Sequence, residues 1–393
     1  MNDNLIPQSR LYVNLDALAR NIKALKAKCD PDVSLMAVVK ANAYGHGAVS
    51  VSRTALENGA SFLAVARIHE AVELRQAGID APLLLFGDAL PSQVEWLAQH
   101  DVRVTIGSVD VARELADAAC HCGGTLKVHL KIDTGMGRLG FVVPEMVSLI
   151  SCERHDRAFD TAIDEIMGIS TLDGLHVEGI YTHFANSDIR DKSHARGQVA
   201  LFNRLICNLA KRGFKPEICH SANSAAIMEM PEGHFNMVRA GIAMYGLWPS
   251  DEINRDLIHI EPVMSVVSKI IHLKAVPSGF KVSYGSTHVT PLPTKIATVP
   301  IGYADGYNRL LSSKGDMLVR GIRCPVVGRV CMDYTMIDVG SVPDAKLGDD
   351  VVVMGRQGDH FISADEIARH INTINYEVVC SFNRRMPIVN HPL

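Results

Sequence analysis

As far as Pro249 the chain repeats one rhythm: a short apolar run, a polar or glycine-marked loop, then a stretch of helical spacing. The apolar runs are "SLMAVVK" from Ser34, "SFLAVA" from Ser61, "APLLLFG" from Ala81 and "DVRVTIG" from Asp101. They continue with "LKVHLKID" from Leu126, "LHVEGIYTHF" from Leu175, "PEICHSANS" from Pro216 and "FNMVRAGIAMYG" from Phe235. Continuous rather than alternating hydrophobicity predicts parallel strands buried on both faces. Between them, "IHEAVELRQAG" from Ile68 carries apolar residues at helical spacing and stops on Gly78. "DVARELADAA" opens at Asp110, an N-cap type of residue. Eight strands alternating with helices predict an α/β fold, a (β/α)8 TIM-type barrel; a doubly wound sheet satisfies the same periodicity.

Beyond Pro249 the texture changes. "VMSVVSKIIHLKAV", "KIATVPIGYADGY", "MLVRGIRCPVVGRVCMDYTMIDVG" and "DDVVVMGRQG" are β-rich with Gly and Pro turns. A mostly antiparallel domain is expected, followed by a helix at "SADEIARHINT" capped by Ser363. The expected division is residues 11–249 for the barrel and 250–393 for the β domain, with residues 1–10 open to joining the latter. "RLYVNLD", which precedes the barrel rhythm, reads as a further strand that could join it. "ISCERHDRAFDTAIDEIMGIST", from Ile150, is a long helical or loop stretch without a chemical motif.

Composition narrows the function classes. Of 393 residues, 47% are hydrophobic and 21% charged, which suits a large soluble core. The net charge of -4 comes without long runs of one sign, so no footprint for nucleic acid or a membrane surface is expected. No apolar stretch is long enough to span a bilayer, and "MNDNLIPQSR" has no apolar signal region. Nine scattered cysteines without a CxxC pair suit reduced thiols in a cytoplasm. "CHC" at Cys120–Cys122 is spaced too tightly for the usual zinc patterns, so no metal is expected.

The candidate chemistry falls at the strand ends, where barrels of this type build their sites. In "AVVKANAYGHG", Lys40 follows the first run. It suits either a Schiff-base amine with a lowered pKa or a lysine reaching out to water. Ala41, Asn42 and Ala43 let the backbone approach a bound ring, and Gly45 and Gly47 permit a tight turn. Arg138 in "KIDTGMGRLG" could fork onto a carboxylate or lie on the surface. His183 in "YTHFANSD" suits a structural role as well as a chemical one. Asn223 and Ser224 in "HSANS" end the seventh run, and Arg239 and Gly241 in "RAGIAMYG" end the eighth. Ser224 with backbone N–H groups near Gly241 would cradle a phosphate. Tyr284 in "KVSYGSTH" and Met332 and Asp333 in "CMDYTMIDVG" lie in the β-rich part, where a tyrosine is normally packing or surface.

With these residues in view, the sequence resembles the alanine racemase family. The likeness runs in order through "AVVKANAYGHG", "KIDTGMGRLG", "EGIYTHFANSD", "HSANSAA", "RAGIAMYG", "VSYGSTH", "IGYADGY", "GRVCMD" and "TINYEVVC". The resemblance implies a barrel followed by a β domain, a head-to-tail homodimer with shared active sites, and pyridoxal 5'-phosphate held by Lys40 as an internal aldimine. It implies that Tyr44 and Arg138 line the site, with Asn223 beside the cofactor. Ser224, the backbone at Gly241 and Ile242, and Tyr376 would hold the phosphate. Arg239 would face the pyridine nitrogen with His183 behind it, and Met332 would offer its backbone to the substrate carboxylate across the subunit interface. Racemisation through an external aldimine would use Lys40 on one face and Tyr284 of the second subunit on the other, supplying D-alanine for peptidoglycan. The family's lysine at the position of Lys131 can carry a carbamate; an unmodified amine is the other reading. Two regions depart from the family pattern: the stretch after Ile150 is longer, and "RRMPIVNHPL" lacks the usual arginine and tyrosine ending. A racemase of broader specificity, acting on serine or other small amino acids, shares these motifs. A pyridoxal-phosphate decarboxylase would need a glycine-triplet phosphate loop that is absent, and a single-barrel cofactor carrier would lack the β domain.

Overall fold

A computed structural model describes residues 8–143, 152–382 and 385–391. All eight apolar runs form strands: Ser34–Val38 (β1), Phe62–Val65 (β2), Leu83–Leu85 (β3), Val102–Ile106 (β4), Leu126–Asp133 (β5), Leu175–Tyr181 (β6), Ile218–His220 (β7) and Met237–Ala240 (β8). Each is parallel to the next, and β8 pairs with β1, so the sheet closes on itself. Closure rules out the doubly wound alternative. Leu35, Leu63, Leu84 and Val104 are wholly buried, as strands covered on both faces require.

The helix predicted at Ile68 spans Ile68–Gln76, with Gly78 just past its end at φ +74°. The helix near Asp110 starts earlier than expected. Its cap is Ser108, whose hydroxyl accepts from Val111 N, and Asp110 sits in the first turn, where an acidic side chain favours the helix dipole. The long stretch after Ile150 is helical over Cys152–Ile169; Ile150 and Ser151 lie outside the described residues. So do Arg384, Pro392 and Leu393 of the unusual C-terminal segment.

The chain divides into two compact units, one of residues Leu18–Ala43 and Ala48–Glu261, the other of Met1–Ala17, Tyr44–Gly47 and Pro262–Leu393. In the second unit nearly all strand pairings are antiparallel. Residues 11–13, placed with the barrel by the boundary expected above, form a strand with Arg10 that pairs with Met264–Lys269. Ser363 caps the late helix Ala364–Ile371 by accepting from Glu366 N. No helix among the described residues is long and apolar enough to cross a membrane.

The barrel interior is not uniformly apolar. Arg103 on β4 makes a forked pair with Glu178 on β6, at 2.9 and 3.0 Å, and Glu178 also accepts from His129 on β5 at 3.0 Å. All three side chains are buried. Gly179 makes room for them: a Cβ there would lie 2.7 Å from the His129 ring. Gly179→Ala should therefore cost about 1–3 kcal/mol, read as a lower denaturant midpoint with unchanged slope. Burial raises the pKa of Glu178, but the bonds from His129 and Arg103 outweigh it and hold the carboxyl down to about 2. An unfolded glutamate titrates near about 4.3. The carboxylate's contribution is thus complete above that value and is lost as pH falls toward the folded pKa. Acid titration of Tm should show this loss, and it should be shallower in an Arg103→Met/Glu178→Leu double variant.

Candidate active site

Beyond β1 the backbone makes an unusual turn. Ala41, Asn42, Ala43 and Tyr44 all have φ of 53°, one turn of left-handed helix directly after Lys40. Left-handed backbone costs an L-residue roughly 1–2 kcal/mol, so the turn needs outside support. Ala43 N donates to Val39 O at 2.8 Å, and Asn42 Oδ1 accepts from Ala48 N at 2.8 Å. The buried carboxylate of Glu70 accepts from Ala41 N at 2.5 Å, and also from Ala66 N and Arg67 N. Tyr44 O is met by His46 Nδ1 at 2.9 Å. Gly45 follows at φ +84°, and a Cβ there would lie 2.5 Å from Val379 O. The two glycines do serve a turn, as the spacing predicts, but the left-handed run before them has no signal in residue type beyond the asparagine.

Lys40 thus stands at the C-terminal end of β1. Its neighbour in the ring, β8, carries Arg239 opposite Met36, and β7 beside β8 leads into Asn223 and Ser224. Ser224 is buried, and its hydroxyl accepts from Gly241 N at 2.9 Å and Ala243 N at 3.3 Å. With both lone pairs engaged, the O–H is directed to a third atom. Ile242 opens the short helical turn Ile242–Tyr245. Asn223 caps the helix Ser224–Glu229, its Oδ1 accepting from Ala226 N and from the Ser187 hydroxyl.

Arg239 is buried to 4% exposure. Its Nη2 reaches Thr182 O at 3.0 Å, Ser221 O at 2.8 Å and His183 Nδ1 at 3.0 Å, and its Nη1 reaches His220 Nδ1 at 2.9 Å. Burial lowers its pKa to about 10, which leaves it a cation at neutral pH. Burial and then the cation of Arg239 hold His183 well below the usual histidine range, so its ring is neutral.

On β5, Lys131 is also buried, and its Nζ donates to Ile132 O at 2.6 Å. Burial first, then Arg239, brings its pKa down to about 7. Asp133 at the end of this strand organises the glycine-rich loop. Its Oδ1 accepts from Gly135 N, Met136 N and Gly137 N, and its Oδ2 from Arg138 N, all within 3.1 Å. That carboxylate fixes the backbone from which the exposed Arg138 side chain extends. Tyr181 ends β6 under these cations, with its ring 5.4 Å from Lys131 Nζ, 5.5 Å from the Arg239 guanidinium carbon and stacked on His220 at 4.6 Å.

The remaining predicted residues belong to the second unit. The rings of Tyr44 and Tyr376 lie 6.2 Å apart, and burial pushes the Tyr44 phenol up. Tyr284 is not in a strand. It follows the strand Lys281–Val282 in a short turn and is 71% exposed. Met332 is exposed as well, and its carbonyl accepts from Ala304 N at 3.0 Å. Sequence reasoning passed over Glu70, Arg103, His129, Asp133, Glu178, Tyr181 and His220. Part of the signal was present: His129, Lys131 and Asp133 alternate along an otherwise apolar strand, which puts polar groups on one face of it.

Comparison with known proteins gives the family. Residues 13–249 match the family model for the alanine racemase N-terminal domain, and residues 263–390 match that for the C-terminal domain. An alanine racemase of Desulfosudis oleivorans is 48% identical over 379 residues, covering 96% of this chain and 95% of that one. Among solved structures, alanine racemase of Clostridium difficile matches with a TM-score of 0.90 at 36% identity, over 98% of this chain and 96% of that one. A histidine racemase from Leuconostoc mesenteroides matches with a TM-score of 0.87 at 26% identity, over 98% of both chains. The chain belongs to the alanine racemase family.

Proposed function

We propose that the protein interconverts L- and D-alanine with pyridoxal 5'-phosphate on Lys40, as a cytoplasmic homodimer that supplies D-alanine for peptidoglycan. The observation that carries this reading is the convergence of Lys40, Arg239 and Ser224 from three strands adjacent in the ring, β1, β8 and β7. The donor set fits the cofactor. A Ser224 O–H whose lone pairs are already engaged suits a phosphate oxygen, with the backbone at Gly241 and Ile242 beside it. Asn223, Tyr44 and Tyr376 complete the set of residues assigned to holding it. Arg239 offers a ring nitrogen a proton that guanidinium does not give up, and neutral His183 backs it.

When bound, the cofactor withdraws electrons from the α-carbon of an attached amino acid and makes its proton acidic. Two groups are then needed to take and return that proton on opposite faces. The Lys40 amine serves the D-isomer and the phenol of Tyr284 from a second copy serves the L-isomer. Lysine and tyrosine both titrate near about 10 in water, so each must be brought down within the assembled site. The high exposure of Tyr284 in a single chain supports its use by a neighbour. Arg138 and, from the second copy, the backbone of Met332 hold the substrate carboxylate.

Lys131 gains a role from its lowered pKa. A neutral amine adds carbon dioxide, forming an N–C bond and releasing a proton, and the resulting carbamate anion would orient Arg138. Labelling with 13C-bicarbonate should give a carbamate resonance that Lys131→Ala abolishes. No resonance, together with activity indifferent to bicarbonate, would leave an unmodified lysine.

The main test is direct. The purified protein should show cofactor absorbance that borohydride locks onto Lys40 and that Lys40→Ala loses. Circular dichroism should show alanine racemising faster than serine, lysine or histidine; the histidine racemase relative makes the last comparison necessary. Tyr284→Phe should lower kcat by about 10²–10⁴-fold in both directions, the usual worth of a positioned acid or base, and should slow α-proton exchange with solvent from L-alanine more than from D-alanine. A colourless protein that cannot be reconstituted would overturn the proposal.

A further inference from the structure

A line of buried polar groups crosses the barrel interior from Arg103 on β4 to Arg239 on β8, with the exposed Asp101 at its outer end. Arg103 Nη1 donates to Asp101 Oδ2 at 2.6 Å, and its Nε and Nη2 grip Glu178. Glu178 Oε2 meets His129 Nε2 at 3.0 Å, His129 Nδ1 meets His220 Nε2 at 3.0 Å, and His220 Nδ1 meets Arg239 Nη1 at 2.9 Å. His129 and His220 are wholly buried, and Glu178, Arg103 and Arg239 nearly so.

The chemistry of the two ends allows one arrangement of protons. Guanidinium only donates, so His220 Nδ1 must accept and its proton must sit on Nε2. That proton makes His129 Nδ1 an acceptor in turn, and puts the His129 proton on Nε2, facing Glu178. An ionised carboxylate only accepts, which closes the sequence from the other side. Burial, then Arg239, holds His220 well below its ordinary pKa; burial also lowers that of His129, so both rings are neutral. A packing role alone would not require such agreement. A hydrophobic filler would serve the interior as well, since buried ion pairs are weak contributors to stability.

We infer that Glu178, acting through His129, is the positioning residue that fixes His220 in its Nε2–H tautomer and so keeps an acceptor facing Arg239. The opposite tautomer would turn an N–H toward the guanidinium and drive it from its place. Arg103 serves as the counter-charge that keeps Glu178 ionised. The functional consequence rests on the reading of Arg239 as the partner of the cofactor ring; the proton positions do not.

Neutron diffraction from holoenzyme crystals reads those positions without any substitution. A proton on Nε2 and none on Nδ1 is expected in both His129 and His220, beside an unprotonated Glu178. A proton on His220 Nδ1, or a doubly protonated His129, would overturn the inference even if the enzyme proved to be the proposed racemase. For function, Glu178→Gln places an amide NH2 where an acceptor stood. It should lower kcat at least tenfold, with KM for alanine changed less than twofold and a shifted cofactor absorbance. Should that variant fold poorly, Arg103→Met/Glu178→Leu removes both charges together, and the same changes are expected. A folded double variant with wild-type kcat and spectrum would refute the positioning role.

Discussion

A buried guanidinium must find an acceptor for protons that it cannot release. At Arg239 this requirement shapes much of the barrel. Its acceptors are two backbone carbonyls, Thr182 O and Ser221 O, and two imidazoles, His183 and His220. They come from the ends of β6 and β7, so the side chain is held from two neighbouring strands and has little freedom to turn. Tyr181 adds a ring face beneath the cation. Once His220 must accept from Arg239, its other nitrogen must donate, and the need passes to His129, Glu178 and Arg103. The buried polar groups form one connected chain rather than a collection of separate bonds.

At the lysine the constraint lies in the backbone. Four successive residues in left-handed conformation are unfavourable for any L-sequence, and Tyr44 bears the cost with a large side chain. Glu70 offsets part of it by accepting from three backbone N–H groups, one of them at Ala41 in the turn itself. Strain kept at a site and compensated by its surroundings generally marks a geometry the site requires. Here it turns the chain sharply as soon as β1 has delivered Lys40. A right-handed helix would carry residues 41–44 along another path, and Asn42 could not reach Ala48 in the same way.

The strands were legible because burial on both faces leaves an unbroken apolar run, and each run from Ser34 to Phe235 produced one. The strand ends were therefore legible too, and with them Lys40, Ser224 and Arg239. The partners of those residues were not. Glu70 reads as an ordinary helical acid, and nothing near it in sequence shows that Ala41 will need its carboxylate. Glu178 and Arg103 lie 75 positions apart, a pairing that only closure of the barrel brings about. Arg10–Val13 was open to either unit for the same reason: its pattern states that it is a strand, while its partner at Met264–Lys269 lies most of the chain away.

Rigidity separates the groups on the barrel rim. Lys131, His220 and Arg239 project from strands, where the sheet fixes their Cα positions, and burial lowers the pKa of each. Arg138 lies on a loop, yet Asp133 accepts from four consecutive N–H groups there and gives the loop much of a strand's definition. Sites built on held backbone keep their geometry better than sites on free loops. Tyr284 is different: it sits in a turn where Ser283 and Ser286 have positive φ, and the residue is mostly exposed. Its own turn does little to enclose that residue, in contrast to the strand-borne groups, which the sheet and its covering layers bury.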